Sequence, residues 1–516
     1  MSGGWKHDEG ARLLARISSY SSGFVPTGEP ALAARGESRD RLLRCDRRRV
    51  DTHDASRFQA YAHKPGRPPG PHINPVLAVL AQMLPGIIPF DPLTFGLDVA
   101  RRFGDIAHYH VGPLHVYQVN HPDLVRQILV DEPEKFYKAR LIKHAFSRFA
   151  GEGLLTSDGA HWRQQRRLMQ PAFNHSHLTT YGSVMVEYAR QMIDSFPEGH
   201  VIELNAEMAA LTLRVVIKCL FGTDITRETQ DLGPLMVAVL DAANQRLNAV
   251  LDVPPWFPTR RNLREKRAVA RLDAMLQAFI SARRALGGNE NDLLSVLLAA
   301  TDEESGARMT DRQLRDEMMT LVLAGHETSA TALTWTWYLL AQHPAVESEL
   351  LDELQRVLHG RPPTAADLPN LPYTDMIVRE AMRLYPPAPG VAREPIQDVT
   401  IGGYDVPKGS LVTVNMYALH RDPRFFDEPD RFKPERFARG WEDRLPRYAY
   451  LPFGGGPRVC IGNGFAMMEA RLILATIAQR RRLSLEPGQE IVPVQLVTVR
   501  PKHGIRMKLT QLGSPR

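Results

Sequence analysis

From Thr310 to Gln342 the sequence keeps one helical apolar period without a break. Thr310 and Gln313 form a capping-box signature at its start, and Pro344 lies just past its end. At about 1.5 Å per residue, such a helix spans roughly 50 Å. That is enough to cross the whole molecule, so the helix must run through the core with the rest of the chain packed around it.

Most of the remainder is also helical in period: 121–131, 160–172, 178–195, 204–221, 230–251, 262–285, 344–358, 373–384 and 462–482. Two short regions alternate instead. "HYHVGPLHVYQV" (108–119) predicts a hairpin turning at Gly112-Pro113. "VTIGGYDVPKGSLVTVN" (399–415) predicts strands joined at Gly402-Gly403 and Pro407-Lys408-Gly409. The fold class is mainly α with a small β-sheet region. No linker interrupts the chain after residue 75, so 64–516 is expected to be one domain. A core of that size can enclose a buried cofactor. Residues 1–63, rich in Arg, Ser, Gly, Ala and Asp, are expected to be a disordered extension, followed by a stiff proline-rich stretch at 64–75.

The apolar stretch 75–90 is too short for a membrane span and is broken by Pro85 and Pro89. The N-terminus lacks the apolar run of a secretory signal, so a cytoplasmic monomer without a transmembrane anchor is expected. A net charge of +6 is mild for 516 residues. It suits an acidic protein partner and does not argue for nucleic acid.

The cysteines are Cys45, Cys219 and Cys460, an odd number without CxxC pairs, which argues against disulfides or structural zinc. Cys219, in "LRVVIKCLFG", reads as a core thiol. Cys460 lies in "PFGGGPRVCIGNGFA" (452–466), among five glycines. Ordering glycine is costly, so such a cluster needs a cause. A helix starting near Gly462 would set its positive end beside the sulfur, and the glycines before it would let backbone N–H groups face a thiolate. Their missing side chains would admit a large flat group, with Arg458 placed to meet an acidic substituent. The plain alternative is a glycine-rich turn around a buried thiol.

The string Phe453-x-x-Gly456-x-Arg458-x-Cys460-x-Gly462 resembles in full the haem-ligating loop of the cytochrome P-450 family. "AGHETS" (324–329), "EAMR" with Glu380 and Arg383, and "FKPERF" (432–437) agree with it, and the resemblance covers roughly 68–512. It implies haem b (iron protoporphyrin IX) with Cys460 as the axial iron ligand. Phe453, Gly462, Ala324 and Gly325 would then line the cofactor. Trp162 and Arg166, matching the family's WxxxR element, would bind the propionates together with Arg393 and Arg458. Arg163 and Arg167 would face solvent.

On the long helix, His326-Glu327 does not complete a zinc-protease HExxH, because Ala330 occupies the last position. Gly325 and a back-bonding Thr328 should loosen the helix locally. The resemblance makes Thr328 and Glu327 the catalytic residues: Thr328 holding oxygen and its water, Glu327 on the proton route. Glu380 and Arg383, three apart, form either a solvated bridge or, as in the family, a buried network with Arg436.

The family's distal positions fall on a loop near 140–155, the helix 235–251, Ala324, "PPAPGV" (386–391) and the turn at 495–497. Ala388, Pro389, Val391 and Leu496 favour a lipophilic substrate, and 230–260 resembles a mobile lid. "AGHETS" and the WxxxR helix look more like the fatty-acid-hydroxylating and microsomal branches. Yet Leu114–Tyr117 shows no arginine for a carboxylate, so terpenoid and polyketide-like substrates stand beside fatty acids. No flavin or iron–sulfur module follows residue 512, so a ferredoxin or flavodoxin with its reductase would supply electrons. The run Arg480-Arg481-Arg482, expected to end the 462–482 helix, serves solubility or docks that acidic partner. The expected reaction inserts one oxygen atom of O2 into the substrate. A haem-thiolate sensor without turnover, or a peroxide-using peroxygenase, would have less need of Glu327-Thr328.

Overall fold

The structure, a computed structural model, describes residues 66–73, 91–224, 231–248, 253–254, 256–286 and 292–512; of 175–178 and 248 it describes the backbone alone. Expectations for 1–63, Cys45, 75–90 and much of the turn in the 230–260 lid fall outside these residues.

The site is built from a subset of elements. The first are strands β1 (Ile106–Val111), β2 (Leu114–Val119) and β3 (Phe136–Lys138), then helices α1 (Arg140–Ala150) and α2 (Gly159–Met169). Strand β4 (Val201–Glu203) leads into α3 (Leu204–Phe221), and α4 (Asp311–Gln342) and α5 (Pro372–Leu384) follow. Strands β5 (Gly390–Pro395), β6 (Val399–Ile401), β7 (Tyr404–Val406) and β8 (Leu411–Asn415) come next. Helix α6 (Asn463–Ala478) and strands β9 (Arg482–Leu485), β10 (Pro493–Gln495), β11 (Val499–Pro501) and β12 (Arg506–Thr510) complete the chain.

Helix α4 is the axis that its sequence predicts. Thr310 Oγ1 accepts from Gln313 N at 3.3 Å, and Gln313 Oε1 accepts from Thr310 N at 2.8 Å, so the capping box is closed. Two apolar clusters flank the helix. One joins it to α5 and α6, the other to α1 and α3. The expected loosening at 325–328 does not interrupt it, since α4 is continuous from Asp311 to Gln342. Thr328 Oγ1 donates to Ala324 O at 2.6 Å, and α3 fills the gap left at Gly325. A Cβ there would sit 2.9 Å from Val216 Cγ2.

The larger sheet has the order β1-β2-β8-β5-β3. The hairpin β1–β2 turns at Gly112, whose φ of 59° suits glycine. Strands β6 and β7 pair as a separate ribbon, while β8 runs parallel to β2. At the far side of the sheet, β3 pairs with β5 so that Lys138 lies opposite Arg393.

Among the described residues, three helices of seven or more residues lie outside the stretches read as helical from the sequence. Pro92–Phe103 follows proline-rich chain and is started by Asp91, which accepts from Leu93 N at 3.0 Å. Leu293–Ala299 is capped by Asp292. Helix α1 replaces the expected loop near 140–155, burying Ala145, Phe146, Phe149 and Ala150 at helical spacing. The helix expected over 462–482 stops at Ala478, and Arg482 opens β9, held by pairing with β12. Partner strands from distant sequence override a local period there.

Candidate haem-binding site

Gly454 and Gly456 take φ of 73° and 67° in the cysteine loop. A Cβ on Gly456 would lie 1.7 Å from Leu129 O, so glycine is required there by a neighbouring backbone, in addition to any cofactor. Cys460 N donates to Phe453 O at 2.9 Å and Val459 N to Gly456 O at 3.0 Å, closing the loop on itself. These N–H groups are thereby spent. The donor that reaches the sulfur comes instead from after the cysteine, at Gly462, the cap of α6. A Cβ on Gly462 would sit 4.0 Å from Sγ and 4.0 Å from the Phe173 ring. Burial pushes the Cys460 thiol up, against the Gly462 N–H and Arg166. Holding a thiolate therefore needs a metal cation as well as the loop. The sulfur is solvent-accessible yet deep, as a side chain facing an internal cavity would be.

Helix α4 packs on α6, whose first turn follows this loop. In its middle, Ala324 is exposed and Gly325 and Thr328 are half-buried, interrupting a run of buried residues. Ala324 and Thr328 are one turn apart, on one face. Glu327 points elsewhere. Its Oε1 accepts from Thr498 Oγ1 at 2.6 Å and pairs with Arg500 Nε at 3.4 Å, while its Oε2 is buried without a partner.

Four cations gather beside the loop. Arg166 on α2 donates through Nη1 to Val459 O at 2.8 Å and through Nε to Gln170 Oε1 at 3.0 Å. Arg393 on β5 donates to Ala392 O at 3.1 Å, and burial pulls its pKa down to about 10. Arg458 donates to Phe136 O at 3.1 Å, but its ion pair is with Asp158 at 2.8 Å, a partner within the protein that the sequence does not suggest. The fourth is Lys138, which no motif marks. It donates to Leu154 O at 2.9 Å and Ser157 O at 2.6 Å, and burial lowers its pKa to about 7. Its place is set by strand pairing between β3 and β5, which leaves no trace in local sequence. The Trp162 ring, itself buried, has Arg458 at 5.3 Å and Lys138 at 5.7 Å from its centroid. Arg163 and Arg167 are exposed as expected, and Arg167 pairs with Asp302 and Glu304.

Asp158 is itself shared, pairing also with Lys143 at 2.8 Å. The cluster therefore carries more positive than negative charge, as a dianionic ligand requires. An accessible deep sulfur, small residues at Ala324 and Gly325, and these cations fit a haem with two propionates.

Behind the loop, Glu380 and Arg383 are fully buried. Arg383 Nε and Nη2 reach the two Glu380 oxygens at 2.7 and 2.8 Å, and Arg436 Nε reaches Oε1 at 3.2 Å. Arg383 Nη1 also donates to His420 O at 2.8 Å, and His420 Nε2 accepts from Leu451 N at 3.0 Å. The network thus ends one residue short of "PFGGG". On the far end of α6, Arg480 pairs with Asp194 at 2.6 Å and Arg482 with Glu347 at 3.5 Å. Two charges of the arginine run are therefore matched within the protein, and the run lies beyond the helix. Among the described residues no helix is long and apolar enough to cross a membrane.

Comparison with known proteins agrees with this geometry. The cytochrome P-450 family profile matches residues 68–509. Cyclooctatin synthase of Streptomyces melanosporofaciens is 39% identical over 392 residues, covering 76% of this chain and 85% of the relative. Pentalenene oxygenase of Streptomyces avermitilis is 35% identical over 410 residues, covering 79% and 90%. A cyanobacterial cytochrome P-450 solved with retinoic acid aligns with a TM-score of 0.73 at 29% identity, covering 81% of this chain and 94% of the other. The haem domain of another cytochrome P-450 aligns with a TM-score of 0.77 at 27% identity, covering 83% and 94%. This chain belongs to the cytochrome P-450 family of haem-thiolate monooxygenases.

Proposed function

We propose that the protein hydroxylates a terpenoid, using haem b and electrons from a separate ferredoxin or flavodoxin with its reductase. The observation that carries this reading is the small, accessible Ala324–Thr328 face of an otherwise buried helix that packs on the helix of the Cys460 loop. The substrate class rests on the relatives named for cyclooctatin and pentalenene, and on half-buried apolar Ala388, Pro389, Val391 and Leu496. It departs from the fatty-acid resemblance of "AGHETS". The reaction balances as substrate C–H plus O2, two electrons and two protons giving C–OH and water.

Bound haem would supply the oxygen chemistry, with Cys460 as the residue that holds its iron. The chain supplies the rest. Arg166, Arg393, Arg458 and Lys138 would hold the propionates, with Trp162 packed against two of them, and Phe453, Gly462, Ala324 and Gly325 would line the cofactor. Thr328 keeps its hydroxyl proton on Ala324 O and offers its lone pairs to a water that delivers protons. Glu327 sits one step back. Its unpartnered Oε2 can take a proton, and Arg500, 24% exposed, links it to solvent. Adjacent helix residues point in different directions, so a water must join Glu327 to Thr328. Residues 64–516 act as one haem domain, in a cytoplasmic monomer, with 1–63 as an extension.

Turnover under 18O2 with a ferredoxin and reductase tests the reading. Terpenoids should give the low-to-high-spin shift and a product carrying one labelled oxygen. Product formed only from added peroxide, or spin shifts confined to other substrate classes, would overturn it.

A further inference from the structure

The hairpin β1–β2 carries three histidines, and its register brings them together. His110 lies directly opposite His115, and His108 lies opposite Tyr117. Residues two apart on a strand share a face, so all four project to one side. Tyr109 and Val116 project to the other, into an apolar cluster.

The three imidazoles are in contact. Ring centroids are 4.3 Å apart for His110 and His115, 4.8 Å for His108 and His110, and 5.3 Å for His108 and His115. One nitrogen from each ring lies within 4.8 Å of the other two. His108 Nε2 and His115 Nδ1 are 3.1 Å apart. Two nitrogens bound at about 2.0–2.1 Å to a tetrahedral ion stand about 3.4 Å apart, close to the spacing of this hydrogen-bonded pair, whose shared proton an ion would displace.

We propose that His108, His110 and His115 form a binding site for a divalent transition ion of borderline softness, with zinc as its reference, and leave a fourth position for water. Three imidazoles without a carboxylate favour zinc, copper or nickel over magnesium or calcium, which take oxygen ligands. His108 is buried beneath the other two, while His110 and His115 are half-buried and reach solvent on the open side. Arg67 also lies close to His108 and His115. Arg67 opposes the charge of a bound ion and limits its affinity.

The site is separate from the haem. Strand β1 is one edge of the sheet, whereas Arg393 and Lys138 lie on β5 and β3 across it. His108 N also donates to Pro69 O at 3.0 Å, so an ion held here would fasten β1 to β2 and steady the segment at 66–73.

Calorimetric titration of tag-free holoprotein with zinc chloride tests the site, with magnesium chloride as control. One zinc should bind, and His110→Ala and His115→Ala should each weaken binding by about 100-fold or more, at least the cost of losing a group that merely supports a ligand. X-ray absorption at the zinc edge should show three imidazoles. The reduced carbon monoxide band must be unchanged in both variants, so that loss of zinc is not loss of fold. Zinc binding unaltered in the two variants, or no zinc binding by the wild type, would leave the histidines as a stacked cluster only and overturn the proposal.

Discussion

Cys460→Ala removes the one described thiol that is both deep and accessible, whereas Cys219→Ala removes a thiol that burial pushes well up and that packs in the core. The first variant should lose the carbon monoxide difference band that gives the family its name, and the second should keep it. A band surviving in Cys460→Ala would assign the iron to another ligand. At Thr328 the expected loss is in coupling, because in the proposed role its hydroxyl would hold a proton-delivering water and has no part in holding the Cys460 loop. Thr328→Ala should lower product formed per electron by about tenfold or more, with hydrogen peroxide in its place. Thr328→Ser, which keeps the hydroxyl, should stay near wild type. Peroxide and product measured against reductant consumed decide this.

Helices α3 and α4 meet where glycine leaves room. Alanine in a helix interior normally gains about 1 kcal/mol over glycine. At Gly325 the new Cβ would meet Val216 Cγ2 at 2.9 Å, and overpacking of about 1–3 kcal/mol should cancel or reverse that gain. Denaturant unfolding of Gly325→Ala, Val216→Ala and the double variant should give a favourable coupling of about 1 kcal/mol or more. Strict additivity would mean that the two helices separate without cost. Element boundaries follow the same division between local and distant causes. The ends of α4 are written beside it, in Thr310, Gln313 and Pro344. The end of α6 is not, because Arg482 belongs to a strand paired with 506–510.

Two buried acids tie the molecule together, and they respond differently to change. Glu380 is paired, and Arg383→Ala takes away its bidentate partner, leaving only Arg436 at 3.2 Å as a cation and His420 O without its donor; it should cost about 3–5 kcal/mol with loss of haem, read by thermal unfolding and the Soret spectrum. Glu469 on α6 is unpaired. It is fully buried with Ser329 of α4 as its neighbour, and burial raises its pKa from 4.5 to about 8. Between those values the folded state holds a proton that the unfolded state has released. Stability from this group is thus full below about pH 4.5 and lost as pH rises towards 8, by at most about 1.4 kcal/mol per pH unit. Glu469→Gln should flatten that slope and be the more stable protein at pH 8. Parallel slopes in the two proteins would show that Glu469 is already ionised.

What the sequence determined by itself is what short-range spacing encodes. Residues one helical turn apart are neighbours in any fold, so the central helix, the Glu380–Arg383 pair and the Thr328 bond to Ala324 were all legible. So was the cysteine loop, whose residues lie within one short string. What the tertiary structure decided joins segments far apart. Lys138 meets Arg393 across β3 and β5, Arg458 meets Asp158, and Leu129 O approaches Gly456 closely enough to exclude a side chain. The hairpin stands between the two cases. Its turn was readable at Gly112-Pro113, but only the register, shifted by no residue, puts His108, His110 and His115 on one face. The two-residue turn sets that register, but which face of the hairpin is covered, Tyr109 and Val116 in an apolar cluster and the histidines on the other side, is decided by segments far away in sequence.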